Sequence, residues 1–178
     1  VNQANLGGAG GFYTGTKRAY DNGYDWIWMM DDDGLPDTKQ LEELLKGANN
    51  NHAKFVNALV CDVDKREKLA FGIVHEGKSI KTVAEAQKYD VVPTYINPFN
   101  GTLINKEVID KIGFIKKEMF VWGDEFDYVF RARNADFSMF TITTAIHYHP
   151  ASRAVYGNVI PFINRFRVKL PPKGRRKI

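Results

Sequence analysis

The spacing of hydrophobic residues along the chain predicts strands that alternate with helices. Continuous apolar or β-branched runs, typical of buried strands, occur at residues 24–30, 55–61, 69–75 and 140–146. Helical spacing predicts helices at residues 12–22 and 124–133, and residues 101–113 predict a short strand followed by a helix that ends at Gly113. This alternation is typical of an α/β sheet with helices on both faces, although residues 78–99 show no clear pattern.

Glycine and polar residues indicate where the helices begin and end. The four glycines within residues 7–11 predict a flexible loop before the first helix, and Gly23 predicts the end of that helix. Asp37 or Thr38 is the expected cap of the second helix. Three residues of this second helix are expected to share one face: Leu41, Leu44 and Leu45. Two residues of the helix at 124–133 are expected to point inward: Val129 and Phe130.

Two of the predicted strands are followed by side chains that can bind a metal. Three consecutive carboxylates follow the first strand: Asp31, Asp32 and Asp33. Two histidines at alternate positions, which therefore share a face, follow the last strand: His147 and His149. In an open α/β sheet, ligands bind beyond the carboxyl ends of the strands, and carboxylates are ligands that Mg²⁺ prefers. The pattern predicts a divalent cation site, and the alternative is a polar turn that Pro36 closes.

The composition is that of one globular domain. Of the 178 residues, 44% are apolar, which is enough to form a core. Cys61 is the single cysteine, so a disulfide framework is excluded and a reducing compartment, the cytoplasm, is expected. No apolar run reaches the ~20 residues that a membrane-spanning helix needs.

Positive charge is concentrated at the end of the chain. The formal net charge is +4, yet residues 164–178 are rich in Lys and Arg and contain no acid. One interpretation is that this segment contacts the anionic phosphates of lipid or nucleic acid, and the other is that it is a solvated terminus.

Three stretches, taken in order, resemble the signature of a known enzyme family. They are NLGGAGGF at residues 5–12, WMMDDDGLP at 28–36 and MFVWGDEFDYVFRAR at 119–133. Together they resemble inverting family 2 glycosyltransferases, and in particular galactofuranosyl- and rhamnosyltransferase-like members. The resemblance implies a GT-A fold, in which a mixed, mostly parallel sheet is flanked by helices. It implies a catalytic domain at residues 1–152 and a basic extension at 153–178, and the nucleotide-binding strand that usually opens this fold is expected to be missing.

The resemblance also implies which residues bind the donor and the metal. Asp31 and Asp33 match the family's acidic pair and would bind Mg²⁺ or Mn²⁺ together with His149, with His147 as the second candidate. Asp31 and Asp32 would also contact the donor. The glycine-rich stretch would line the donor diphosphate or sugar through five residues: Asn5, Gly7, Gly8, Gly10 and Gly11.

In the third stretch, the resemblance implies the residues that act on the acceptor. Transfer with inversion needs a base, and the family position of the base falls on Glu125, with Asp124 as the next candidate. Asp124 could instead only cap the helix that follows. Acceptor contacts are expected from three residues: Trp122, Asn100 and Asp127.

The expected function is metal-dependent transfer of a sugar, with inversion, from a UDP- or dTDP-sugar to a glycan or lipid-linked acceptor. The expected location is the cytoplasm, with the basic segment able to contact the cytoplasmic face of a membrane, and no nucleic acid partner is expected. Two alternatives stay open. One is a non-catalytic remnant that binds nucleotide or glycan. The other is a phosphatase with an aspartyl nucleophile, whose strand–D-x-D-G motif is similar, although Leu35 stands where that family has Thr.

Overall fold

The computed structural model describes the backbone of residues 4–151, 155–160 and 163–170, and the side chains of residues 4–151. The helices are α1 (Gly7–Asp21), α2 (Gln40–Asn50), α3 (Val83–Ala86), α4 (Lys106–Ile112) and α5 (Asp124–Asn134), with a 3-10 turn at Lys117–Met119. The first five strands are β1 (Trp26–Met29), β2 (Leu35–Pro36), β3 (Phe55–Asp62), β4 (Lys68–His75) and β5 (Lys78–Thr82). The others are β6 (Val91–Pro93), β7 (Thr102–Asn105), β8 (Met139–His149), β9 (Val155–Ile160) and β10 (Ile163–Leu170).

The central strands lie in the order β1-β7-β3-β8, and β2 and β6 pair with the far side of β8. The α/β arrangement of a mixed sheet is confirmed, but the expected mostly parallel pairing is wrong. Within the described residues β3 and β8 form the parallel pair, and the remaining strand pairs are antiparallel. The reason is that β7 runs in reverse between β1 and β3, while β4 and β5 form a hairpin.

Three of these strands nevertheless run in the same direction. Since β7 is antiparallel to both β1 and β3, and β3 is parallel to β8, the carboxyl ends of β1, β3 and β8 meet at one edge. Asp62 at the end of β3 lies opposite His149 at the end of β8. The sheet therefore brings the acids that follow β1 and the last histidine of β8 to the same edge, as the sequence predicts.

The helix faces differ in part from the expected ones. The buried residues of α2 are four positions apart: Gln40, Leu44 and Ala48. Of the three leucines expected to share one face, Leu44 is fully buried, whereas Leu41 and Leu45 are exposed. The expected cap is wrong, because α2 begins at Gln40 with Lys39 as its cap, and the Asp37 carboxylate instead accepts the Lys39 N–H at 3.0 Å.

In α5, the inward residues are Tyr128 and Ala132, with Val129 half-buried against the same core. Phe130 is 61% exposed, so the expectation that it points inward is wrong. The core below α5 is filled from the sheet side by Phe55, which lies against the Tyr128 ring with a centroid distance of 6.2 Å.

The glycine-rich stretch forms the start of α1, so the expectation of a flexible loop is wrong. Asn5 Oδ1 accepts the Gly7 N–H at 3.0 Å, and Ala9 is fully buried. The helix ends as predicted, since Gly23 has a φ of +80° and donates its N–H to the Tyr20 carbonyl.

Cys61 is buried near the end of β3, where it packs with Leu59 and Leu69. Burial raises the pKa of its thiol to about 12. Among the described residues, no helix is both long and apolar enough to cross a membrane. The basic stretch at 164–178 and the boundary of the expected extension lie outside the residues whose side chains are described, and both stay predictions.

Candidate active site and metal centre

Three predicted metal ligands meet at the carboxyl edge of the sheet. One ligand atom from each of Asp31, Asp33 and His149 lies within 4.8 Å of the other two. The two aspartates sit in the turn after β1, which the Gly34 N–H closes by donating to the Asp31 carbonyl at 3.2 Å. Pairing of β2 with the end of β8 fixes this turn beside His149.

The ring of His149 is oriented by a backbone hydrogen bond. Its Nδ1 lies 2.7 Å from the Pro150 carbonyl oxygen, which can only accept, so Nδ1 carries the proton. Nε2 lies 3.1 Å from Asp33 Oδ1, and the Phe71 ring packs on the imidazole at a centroid distance of 5.2 Å. A histidine fixed in this way by its other nitrogen is typical of metal ligands.

Asp31 is the partly buried carboxylate of the acidic turn, whereas Asp32 and Asp33 are exposed. Burial raises the pKa of Asp31, and the neighbouring Asp33 carboxylate raises it further. A bound cation reverses this effect because it stabilises the ionised carboxylates. Two carboxylates and one imidazole are a ligand set that fits a divalent cation. Asp32 is exposed and lies outside this three-residue cluster.

His147 lies beneath the acidic turn and outside the cluster. It is fully buried, and its Nδ1 lies 3.1 Å from Gln40 Oε1. Burial lowers its pKa to about 4, so the ring is neutral at physiological pH. Gly34 packs directly on this ring, since a Cβ there would be 2.3 Å from His147 Nε2. Of the two candidate histidines, His149 is the one with the geometry of a ligand.

The acids of the third stretch face the same cleft as Asp31 and His149, a cavity of about 910 Å³. Asp124 is 5% exposed, and burial, followed by a hydrogen bond with Glu125, raises its pKa to about 6. Glu125 accepts the Gly123 N–H at 3.0 Å. Gly123 occupies the cap position of α5, so Asp124 is the first helical residue and not the cap.

The cleft gathers about half of the predicted site residues. Those that line it are Gly8, Asp31, Asn100, Trp122, Asp124, Glu125 and His149. Asn100 is buried, and its Oδ1 has no hydrogen-bond partner among the described residues, while Trp122 is 66% exposed.

Other predicted residues have different surroundings. Asp127 forms ion pairs with Lys116 at 2.7 Å and Arg131 at 2.8 Å. Burial favours its neutral form, but these hydrogen bonds outweigh burial and lower its pKa. Asp127 does not line the cleft, and its expected role in acceptor binding stays a prediction.

The four glycines serve different purposes. A Cβ at Gly7 would lie 2.0 Å from the Phe120 carbonyl oxygen, and one at Gly10 would lie 2.1 Å from Leu6 Cβ. Packing thus accounts for these two. Gly8 is the one of the four that lines the cleft, and a Cβ at Gly11 would meet nothing within 4 Å.

Sequence reasoning missed several residues of the cleft, among them Phe71, Tyr95, Phe126 and Arg133. Phe126 and Arg133 are seven residues apart and share a face of α5 with Val129, which also lines the cleft. This helical spacing from the acids was the available signal. Phe71 and Tyr95 come from β4 and from the irregular segment before β7, and no local pattern marks them.

The model of the family described as Glycosyl transferase family 2 matches residues 1–113. The chain belongs to glycosyl transferase family 2. The prediction from the three stretches is confirmed, and membership of this family decides against the phosphatase alternative.

Two curated relatives of this family 2 chain carry the name galactofuranosyltransferase GlfT1. The protein of Mycolicibacterium smegmatis is 36% identical over 153 residues, which are 82% of this chain and 51% of the relative. The protein of Mycobacterium tuberculosis H37Rv is 33% identical over 151 residues, with 82% and 49% covered. The chain therefore spans about half the length of the curated relatives it matches.

A solved structure shares the fold of this family 2 chain. It is the crystal structure of GalNAc-T7 with UDP, GalNAc and Mn²⁺, which matches with a TM-score of 0.56 at 10% identity. The match covers 84% of this chain and 31% of that chain. At this identity the likeness concerns the fold alone, and it confirms the expected GT-A-type α/β architecture.

Proposed function

We propose that the protein transfers a sugar from a UDP- or dTDP-sugar to a glycan or lipid-linked acceptor, with inversion and with a divalent cation. One observation supports this above the others. Asp31 and His149 line the same cleft as the acid pair Asp124–Glu125, and Asp33 lies beside those two residues in the three-residue cluster. Such a transfer needs both a site for the diphosphate and a base opposite it. The names of the curated relatives favour a galactofuranosyl donor.

On the donor side, we propose that Asp31, Asp33 and His149 hold Mn²⁺ or Mg²⁺. When bound, the cation supplies electrostatic stabilisation for the leaving diphosphate. Gly8 lies in the first turn of α1 and lines the cleft, so the positive end of the helix dipole favours a phosphate there. Exposed Asp32, at the centre of the acidic turn, is assigned to the donor by the resemblance and remains part of this proposal.

On the acceptor side, Glu125 takes the proton of the attacking hydroxyl. Asp124 shares a hydrogen bond with Glu125 and, because its own pKa is raised, keeps a proton more readily than an exposed aspartate. Asn100 lines the cleft with a carbonyl oxygen that accepts no hydrogen bond from the described residues, and Trp122 offers a ring to a sugar face.

The proposal is tested by calorimetry, which compares the UDP affinity of the parent and of an Asp33→Ala variant with and without Mn²⁺. We expect this substitution to weaken Mn²⁺-dependent UDP binding at least tenfold, because it removes one of three ligands. Asp90→Ala is the matched control, since Asp90 is exposed and lies outside the cleft. If Asp33→Ala stays within about twofold of the parent, the metal assignment is wrong. If the parent binds UDP but transfers no sugar, the non-catalytic alternative is favoured.

A further inference from the structure

The first turn of α1 lies against the backbone of a distant loop. The Ala9 N–H donates to the Phe120 carbonyl at 3.1 Å. Gly7 leaves the space that this contact needs, because a Cβ there would be 2.0 Å from the same oxygen and 2.6 Å from the carbonyl carbon. Gly7 also has a φ of +69°, a backbone conformation that residues with a side chain rarely adopt. For both reasons, the contact with Phe120 requires glycine at position 7.

The loop on the other side of this contact, residues 117–123, has an unusual backbone; we call it the docking loop. Phe120 and Trp122 have φ values of +61° and +73°, and Gly123 has +95°. Non-glycine residues with such φ values persist only when the surrounding structure holds them. Besides the hydrogen bond to the Phe120 carbonyl, α1 makes a second contact with this loop. Lys117 Nζ lies 5.1 Å from the centroid of the Tyr13 ring, a cation–π contact.

The docking loop leads directly into the acids of the cleft. Asp124 and Glu125 are the first two residues of α5, and the Gly123 N–H donates to the Glu125 carboxylate. The position of the Glu125 carboxylate therefore depends on the backbone of the loop, which in turn depends on its contact with α1. The Gly8 side of α1 faces the same cleft.

We propose that Gly7 is a positioning residue, which lets α1 clamp the Phe120 carbonyl and so fixes Glu125 relative to the donor side of the cleft. This role differs from the direct donor contact that the sequence resemblance implies for Gly7. Its catalytic consequence rests on the proposed sugar transfer, whereas the clamp itself is a property of the fold. The two parts are therefore tested by separate measurements.

The test compares Gly7→Ala with Gly15→Ala in the full-length protein. Gly15 lies in the same helix, is exposed, and a Cβ there would meet nothing within 4 Å. Hydrogen exchange of residues 117–123 reports the clamp without any need for activity. Turnover with a galactofuranosyl donor, and Mn²⁺-dependent UDP affinity by calorimetry, report the catalytic consequence.

For Gly7→Ala we expect exchange in the docking loop to be at least tenfold faster, turnover at least tenfold lower, and UDP affinity within about threefold of the parent. Gly15→Ala should match the parent in all three. Unchanged exchange of the loop in Gly7→Ala would overturn the clamp. If UDP affinity and turnover fell together, the positioning role would be overturned, and the result would favour the direct donor contact that the sequence resemblance implies for Gly7. If the parent transfers no sugar, the exchange measurement still decides the clamp.

A second variant covers the case in which Gly7→Ala does not fold. Lys117→Met keeps the length of the side chain but removes the ammonium group above the Tyr13 ring. We expect exchange in the docking loop to increase about two- to fivefold, because an exposed cation–π contact is a modest constraint. Exchange equal to that of the parent would contradict a loop held by α1.

Discussion

At the scale of single residues, adjacent Asp124 and Glu125 have different surroundings. Asp124 is almost fully buried, and its pKa is raised to about 6 by burial and by its bond with Glu125. Glu125 is half-buried and accepts a backbone N–H from Gly123. Glu125 is the more accessible of the two carboxylates, and the hydrogen bond from Gly123 fixes its position. This difference supports the assignment of Glu125 as the base.

We expect Glu125→Gln to lower turnover by about 10²–10⁴-fold, the range over which a general base contributes. The substitution keeps the size of the side chain and removes its ability to take a proton. UDP affinity with Mn²⁺ should stay nearly unchanged, because Glu125 is not one of the three clustered ligands. Steady-state kinetics and calorimetry on the full-length protein provide both values.

Glu67→Gln is the control for this substitution, since Glu67 is exposed and does not line the cleft. It should retain the parent turnover. A Glu125→Gln variant that keeps more than about a tenth of the parent turnover would mean that another group takes the proton. Asp124, in the same cleft, would then be tested by Asp124→Asn.

At the scale of elements, the turn between β1 and β2 joins the metal site to the buried layer below it. The Gly34 backbone lies on the His147 ring, and Gln40 from the start of α2 lies on the other side of that ring. A second glycine, Gly101, makes room for Gln40, since a Cβ there would be 2.1 Å from Gln40 Nε2. The acidic turn thus rests on a closely packed polar layer, which limits how far Asp33 can move.

Gly34→Ala should weaken Mn²⁺ binding about 10–100-fold, the usual cost of disturbing groups that orient metal ligands. The added methyl group would overlap His147 Nε2, so the turn that carries Asp33 must shift. A loss of unfolding free energy of about 1–3 kcal/mol is expected alongside, as for other overpacked sites. Mn²⁺ titration by calorimetry and thermal unfolding measure the two effects. Gly15→Ala again serves as the control, and unchanged Mn²⁺ affinity in folded Gly34→Ala would refute the idea.

Local sequence patterns predicted some of the helices and strands and failed to predict others. The positions of most strands and helices followed from hydrophobic spacing, but β5, α3 and β6 lie in residues 78–99, where the spacing shows no clear pattern. The acidic turn and His149 were expected from their places after strands. The helical start of α1 was not expected, because its first turn is held by Asn5 and by the carbonyl of Phe120, which is far away in the chain. Phe130 was assigned to the core because its spacing suits burial, yet Tyr128 and Ala132 fill that space. Long-range contacts of this kind leave no local pattern.

At the scale of the whole molecule, strand direction was the least predictable property. An apolar run predicts a buried strand but carries no information about its neighbours, so the reversed β7 between β1 and β3 could not be read from the sequence. The acids after β1 and the last histidine of β8 nevertheless lie at one edge, as expected, since β1, β3 and β8 share a direction. The roles proposed for Asp124 and Glu125 come from the family resemblance, because no spacing rule supplies them.

The basic segment at residues 164–178 predicts that the chain binds to anionic membrane surfaces. Replacement of the Lys and Arg residues within 171–178 by Gln, which leaves β10 in place, should reduce binding to phosphatidylserine-containing vesicles, because each Lys or Arg near an anionic surface contributes about 1 kcal/mol. The difference should shrink as salt is raised. Vesicle sedimentation of both forms measures it, with phosphatidylcholine vesicles and Mn²⁺-dependent UDP affinity as controls. Equal, salt-insensitive sedimentation of the two forms would exclude a membrane role for this segment.

The burial of Cys61 has a practical consequence for spectroscopy. It is the single cysteine of the chain, and a thiol with a pKa of about 12 has almost no reactive thiolate at neutral pH. A cysteine introduced on the surface away from the cleft, for example by Lys88→Cys, would therefore react with a maleimide dye or a nitroxide spin label, while the native thiol would not react. Each probe would report from one known position without removal of the native residue.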